Sequence, residues 1–146
     1  TLPTQIFHLL LDREIVRHND EGAYYASNSL WDAMSFLRRE SNPADLVFAA
    51  GSTSTLVPAF AGNTVLWGHW AMSVDLEQTL RWQDAVFGRG ATEEAGRELL
   101  KAGMKYVLVD DAFRASFGDP APEFFTGYNK VFEQGEVAIY RSEKST

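Results

Sequence analysis

The sequence contains no cysteine, and this absence excludes several kinds of chemistry at once. Thiol catalysis, zinc ribbons and disulfide frameworks all require that residue. The absence does not identify the cellular compartment, because a cysteine-free domain is at home on either side of a membrane.

Positive charge is scarce. The chain has 13 lysines and arginines against 20 aspartates and glutamates, which gives a net charge of −7. Arg38 and Arg39 form the only adjacent basic pair. A nucleic-acid groove needs a basic stripe to neutralise phosphates, and an anionic membrane face attracts basic clusters. The composition therefore argues against nucleic acid and against docking on an anionic membrane face.

Long apolar runs are also absent. No run approaches the roughly 18–20 residues that a membrane-spanning helix needs, and the longest cover residues 46–50 and 56–61. The chain begins with Thr1 and shows no signal peptide, so we expect a piece of a longer protein or a processed form. With 146 residues, of which 45% are hydrophobic, the expectation is one soluble domain with its own core.

The clearest helix signal lies between Ser29 and Ser41. Ser29 is the predicted N-cap, with Asp32 three residues later in capping-box spacing. Four apolar residues then recur at helical spacing: Leu30, Ala33, Met34 and Leu37. This stripe predicts an amphipathic helix that ends where residues 41–43 read Ser-Asn-Pro.

Three apolar segments, residues 46–50, 64–68 and 106–109, alternate with helical patterns. A short helical piece over residues 56–61 is closed by Gly62, and longer helices are predicted after Ser73 and after Thr92. The first of these longer helices should have Leu80 and Phe87 on its apolar face. A looser region then extends to Tyr128, before a hairpin of residues 130–133 and 137–140.

This order predicts an α/β fold, a small three-layer Rossmann-like domain. Its sheet should be mostly parallel, with right-handed crossovers and the C-terminal antiparallel hairpin at the edge. We assign residues 1–22 to a lead-in segment and residues 23–146 to a single α/β domain.

In open α/β sheets, ligands bind outside the carboxyl ends of the strands. After the first apolar strand, Ser52, Thr53 and Ser54 offer hydroxyls and backbone donors that suit an anion or a sugar hydroxyl. The alternative is an ordinary turn with capping residues, since the segment is neither a Walker loop nor a G-x-G-x-x-G fingerprint.

His69 and Trp70 follow the second strand. An imidazole can hydrogen-bond a substrate or move a proton, and an indole can stack on a sugar ring. The alternative is a packed Trp and a His bonded to the backbone. If the first two strands are neighbours, Ser52, Thr53, His69 and Trp70 share one crevice, whose mixture of groups suits a sugar.

Asp110 and Asp111 end the third strand. A paired carboxylate can bind a divalent cation, but such a pair also caps a following turn. No H-x-x-x-H, H-E-x-x-H or G-x-S-x-G pattern is present. We therefore assign no catalytic residue, no metal ligand and no cofactor.

Several motifs occur in a familiar order. Residues 33–47 resemble A-x-x-W-L-R … P-x-D-x-V, residues 56–62 resemble I-P-A-Y-T-G, and residues 65–70 resemble V-Y-V-G-H-W. Residues 98–109 and 131–141 resemble L-L-R-x-x-G-I-x-Y-V-x-V and V-F-E-N-G-x-V-x-I-Y-R. Over residues 24–141 the chain resembles the soluble C-terminal domain of bacterial multi-spanning proteins related to dolichyl-phosphate-mannose protein mannosyltransferases. It departs from the pattern at Phe36, where Trp is usual, and at Asp110 and Asp111, where a Gly or Pro turn is expected.

The resemblance implies a membrane glycosyltransferase-like region before Thr1 and a place for this domain on the extracytoplasmic side of a bacterial membrane. In that family the catalytic carboxylate lies in a loop of the membrane region, and no residue here matches it. The implied partners are the transmembrane region of the parent protein and a sugar or lipid-linked sugar.

Three functions stay open at this point. The first is a non-catalytic accessory domain that positions an acceptor, a lipid-linked sugar or a partner at the membrane surface. The second is a purely structural cap on the transmembrane region. The third is a stand-alone Rossmann-like small-molecule-binding protein or enzyme, which a reading frame with about eight apolar segments upstream of Thr1 would exclude.

Overall fold

A five-stranded mixed sheet organises the domain in the computed structural model, which describes residues 26–66 and 75–143. The strands follow the spatial order β2-β1-β3-β5-β4. Their bounds are Leu46–Phe48 (β1), Thr64–Val65 (β2), Tyr106–Val109 (β3), Tyr128–Gln134 (β4) and Val137–Ser142 (β5).

The three predicted apolar strands do lie side by side and parallel, because β1 pairs with β2 on one side and with β3 on the other. The terminal hairpin forms the other edge, with β5 antiparallel to β3 and to β4. A mostly parallel sheet was therefore the wrong expectation, since two of the four pairings are antiparallel. The reason is that β5 returns through the tight turn at Gly135 and takes the place beside β3 that a further parallel strand would occupy.

Alternation along the central strands buries both faces of the sheet. Val47 and Leu108 point into one hydrophobic cluster, whereas Phe48 and Val107 point into the other. The first cluster is covered by α1 (Asn28–Glu40) and by a π-helical segment (Val57–Ala61). The second is covered by α3 (Leu76–Phe87), α4 (Glu93–Lys101) and α5 (Asp111–Phe117). Strands that are buried on both faces need continuous apolar runs, which explains why these were recognisable in the sequence.

The stripe of α1 packs as predicted, and Ala33 and Leu37 are completely buried. The helix starts earlier than predicted, however, because Ser27 rather than Ser29 is the N-cap and accepts a hydrogen bond from the Leu30 amide at 3.2 Å. Asp32 closes no capping box. Its carboxylate instead accepts a hydrogen bond from Gln134 of the hairpin at 2.6 Å, a tertiary contact that local spacing does not reveal.

The chain between β1 and β2 forms α2 (Thr53–Leu56), which continues directly into the π-helical segment. Gly62 ends this segment in the left-handed conformation, with φ of 83°. The helical piece and its glycine stop were both predicted, but the helix begins three residues earlier than expected because the Thr55 amide already bonds to the Ser52 carbonyl at 3.1 Å.

Thr92 caps α4 as predicted, accepting from the Ala95 amide. Ser73, the predicted cap of the preceding helix, lies outside the described residues, as does the lead-in segment 1–22. Leu80 was expected on the apolar face of α3 but is 39% exposed. The region expected to be loose contains α5 and a 3₁₀ turn (Pro122–Phe125). Its aromatic residues anchor this region to the core, since Phe113 and Phe124 are completely buried.

No helix within residues 26–66 and 75–143 combines the length and the apolar character needed to cross a bilayer.

Candidate functional site

The carboxyl ends of β1 and β3 bring two of the predicted groups together. Thr53 lies at the start of α2, after β1, and Asp110 follows β3 directly. The Thr53 hydroxyl donates a hydrogen bond to Oδ2 of Asp110, and both side chains are buried. A polar contact therefore joins the carboxyl ends of β1 and β3, between residues that are 57 positions apart in the chain.

Asp110 has a second role at the same place. Its Oδ1 accepts a hydrogen bond from the Phe113 amide at 2.9 Å, which makes it the N-cap of α5. Burial raises the pKa of the Asp110 carboxyl above its ordinary value, although the hydrogen bonds from Thr53 and Phe113 act in the opposite direction. The capping interpretation of this residue thus describes its contacts well.

Asp111 does not share that environment. Its carboxylate is exposed and lies 3.4 Å from Arg114, whose guanidinium also donates to the Glu136 carbonyl at 2.8 Å. The two carboxylates therefore have different surroundings, one buried and one exposed. In the described part of the chain, no three His, Cys, Asp or Glu side chains come together as a metal site.

The hydroxyls after β1 differ in what they offer a ligand. Ser54 is completely buried and donates to the Gly51 carbonyl at 2.7 Å, so it holds its own turn together. The Thr53 hydroxyl is occupied by Asp110. Ser52 is exposed, and it alone of these three presents its side chain to solvent. The turn itself requires Gly51, whose φ is +51°.

His69 and Trp70 lie outside the described residues. The strand that leads to them is nevertheless next to β1, because Leu46 pairs with Thr64 and Val47 with Val65. The premise of a shared crevice, that the first two strands are neighbours, is met. The crevice itself stays a prediction.

A polar groove of about 630 Å³ at the opposite end of the sheet was not anticipated. It is lined in part by Asp45, Lys105 and Arg141. Lys105 Nζ lies 3.2 Å from Asp45 Oδ1, so these two charges of the groove are paired with each other. No short motif marks it, because these two residues are 60 positions apart.

Comparisons with known proteins give a likeness of fold. No protein-family model matches the chain, and no curated protein matches its sequence. Among solved structures, the chain is similar to the C-terminal globular domain of an oligosaccharyltransferase from Archaeoglobus fulgidus, with 14% sequence identity and a TM-score of 0.54. The similarity covers 81% of this chain and 99% of that domain. At this identity the two chains share a fold, over nearly the whole of the archaeal domain.

Proposed function

We propose that this chain is a non-catalytic accessory domain of a membrane glycosyltransferase-like protein. It lies on the extracytoplasmic side of a bacterial membrane and positions an acceptor, a lipid-linked sugar or a partner at the membrane surface. The observation that carries the proposal is the fold shared with the C-terminal domain of an oligosaccharyltransferase, because it spans 99% of that domain.

The sequence supports the same proposal independently. The motifs over residues 24–141 resemble those of bacterial proteins related to protein mannosyltransferases, which are a different group of sugar-transferring enzymes. The two likenesses come from different properties, residue order in one case and backbone shape in the other. Both lead to a domain appended to an enzyme that transfers sugars.

A purely structural cap is the second candidate, and one observation favours it. Thr53, Ser54 and Asp110 direct their polar atoms at each other or at the backbone, so these groups already stabilise the fold. Groups that are satisfied internally are less available to a ligand.

Ending the parent protein just before Ala26, which removes this domain and keeps the membrane region, separates the two candidate functions. For an accessory domain that positions the acceptor, we expect the KM for the acceptor to rise at least about tenfold while hydrolysis of the sugar donor by the membrane region continues. The purified chain alone, incubated with a polyprenyl-phosphate sugar, should transfer no sugar in the same assay.

A structural cap gives a different pattern. Truncation would then lower the thermal stability of the membrane region and reduce transfer and hydrolysis together. Transfer of sugar by the purified chain would contradict the accessory proposal directly.

We also propose, because β1 and β2 are neighbours, that Ser52, Thr53, His69 and Trp70 lie around one pocket. Ser52 supplies the exposed hydroxyl of this pocket, since the Thr53 hydroxyl donates to Asp110. We expect the chain to bind a sugar or sugar phosphate at millimolar concentration and His69→Ala and Trp70→Ala each to weaken binding about tenfold, since each removes one contact of about 1.4 kcal/mol. Isothermal titration calorimetry measures the affinity of the wild type and of both variants.

Ser35→Ala is the matched control, because Ser35 is exposed on α1 and is not one of the proposed pocket residues. If both pocket variants keep full affinity, the pocket is elsewhere. If the wild type binds nothing at millimolar concentration, the structural cap is favoured.

A further inference from the structure

The exposed hydroxyl of Ser52 belongs to a short segment, residues 51–55, whose shape is held by its own hydrogen bonds. The Ser54 hydroxyl donates to the Gly51 carbonyl at 2.7 Å. The hydroxyl and the amide of Thr55 both donate to the Ser52 carbonyl, at 2.7 Å and 3.1 Å. Both partners of each bond lie within the segment, so these bonds fix its shape. They do not place Ser52 relative to the rest of the domain.

Contacts with the start of α5 place the segment. Thr53 donates a hydrogen bond to Asp110, whose other carboxylate oxygen is held by the Phe113 amide at 2.9 Å. Gly51 also lies against α5, because a Cβ added to it would be 3.4 Å from the Cβ of Ala112. A van der Waals contact of this kind allows the two surfaces to slide, whereas a hydrogen bond requires a defined distance and angle. The contact between Thr53 and Asp110 therefore sets the position of the segment most narrowly.

We propose that Asp110 is a positioning residue, which acts through Thr53 to hold the Ser52 hydroxyl in place in the proposed pocket. This inference rests on the proposed function and adds to it a residue whose side chain touches no ligand. Thr53 is 2% exposed and Asp110 is 5% exposed, so the hydrogen bond between them is shielded from water. A group that binds a ligand needs supporting residues of this kind, because its own rotation and translation weaken the contact.

The amide resonance of Ser52 in the heteronuclear NMR spectrum of the labelled chain tests the position directly. Asp110→Ala removes the contact from the α5 side, far from Ser52 in the sequence, and we expect the Ser52 amide to shift and to exchange its hydrogen faster. Asp111→Ala is the matched control, because the Asp111 side chain is exposed and lies beside Arg114. This variant should leave the Ser52 amide where it is in the wild type.

Two substitutions of Thr53 separate its hydroxyl from its size. Thr53→Ser keeps the donor and should keep Ser52 close to its wild-type position, whereas Thr53→Val removes the donor and should displace it. The double variant Thr53→Val/Asp110→Ala should displace Ser52 no further than Thr53→Val, since both changes break the same contact. An unshifted Ser52 amide in Asp110→Ala overturns the proposal. If Asp110→Ala does not fold, equal shifts in the serine and valine variants overturn it instead.

Calorimetric titration with mannose 1-phosphate measures the consequence for binding. We expect Thr53→Val to weaken binding about tenfold and Thr53→Ser to stay within about twofold of the wild type, since only the first releases Ser52. Thr64→Val is the control, because the exposed Thr64 hydroxyl donates to the Pro43 carbonyl at 3.2 Å, outside the segment. Full affinity in Thr53→Val overturns the positioning role. A wild type that binds nothing removes the proposed pocket, and the NMR comparison then decides the position of Ser52 by itself.

Discussion

Replacing Gly96 by alanine is expected to destabilise the protein by at least about 3 kcal/mol, because overpacking at a site that cannot relax lies at the upper end of its usual cost. Gly96 is buried in the middle of α4, where the helix packs against the 3₁₀ turn Pro122–Phe125. An added Cβ would lie 2.9 Å from the carbonyl carbon of Phe124 and 3.3 Å from its Cα. These are backbone atoms, so no rotation of a side chain relieves the contact.

The expected change in the free energy of unfolding has the opposite sign to the usual effect of replacing a helical glycine by alanine. In an ordinary helix, glycine-to-alanine replacement stabilises by about 1 kcal/mol, since alanine has the higher helix propensity. Here α4 and the 3₁₀ turn must move apart. This separation disturbs the packing of Phe124, whose ring is buried. Urea unfolding followed by circular dichroism measures the change in the free energy of unfolding.

Glu94→Ala is the control for this experiment, because Glu94 is exposed in the first turn of the same helix. Its effect should stay within about 0.5 kcal/mol. A Gly96→Ala protein as stable as the wild type would mean that α4 and the 3₁₀ turn do not pack as closely as the structure places them.

Removing the Asp110 side chain should cost about 2–4 kcal/mol, because Asp110→Ala deletes the N-cap of α5 and leaves the buried Thr53 hydroxyl without its acceptor. Asp110→Asn keeps an oxygen that can accept from the Phe113 amide. That variant should lie within about 1 kcal/mol of the wild type at neutral pH. Chemical unfolding of both variants checks the difference.

The same residue makes stability depend on pH in a defined direction. Since burial raises the pKa of the folded Asp110 carboxyl, the folded state holds this proton more tightly than the unfolded chain does. The stability that this proton contributes is fully present below the pKa of an unfolded Asp carboxyl, about 3.9. It is lost as the pH rises through the pKa of Asp110 in the folded state. The stability of the wild type relative to Asp110→Asn should therefore fall as the pH rises above about 4.

Asp111→Asn provides the control, because Asp111 is exposed beside the buried carboxyl. This variant removes the neighbouring exposed carboxylate and leaves the Asp110 side chain with its hydrogen bonds from Thr53 and Phe113. If the Asp110 difference rises with pH instead, the hydrogen bonds from Thr53 and Phe113 outweigh burial and the folded pKa is lowered.

The features that were predictable from the sequence are those written in neighbouring residues. The stripe of α1 repeats at the helical period and is buried as expected, and β1 and β3 are continuous apolar runs covered on both faces. The cap at Thr92 and the stop at Gly62 follow from side-chain and backbone chemistry at single positions. In each case the physical cause operates within one or two turns of the chain.

The local sequence pattern did not predict the structure correctly where two local signals of similar strength competed. Ser27 and Ser29 are both good N-caps, and the helix takes the earlier one. The segment after Asp110 contains Gly118, Pro120 and Pro122, which favour a loop, yet α5 forms ahead of them over Asp111–Phe117. Burial of Phe113 among the other aromatic rings stabilises that short helix, and this burial exists only once the sheet is assembled.

The amino-acid sequence by itself determined where α1 and the three apolar strands lie, which face α1 buries, and which polar residues follow β1 and β3. Only the tertiary structure decided that β5 lies beside β3, that Thr53 meets Asp110, and that Trp31 packs on Phe60 at the surface. These contacts join residues far apart in the chain, whose meeting depends on how the whole core closes. Helix and strand periods depend on adjacent residues, whereas the partner of a buried carboxyl depends on strand order, which no local pattern encodes.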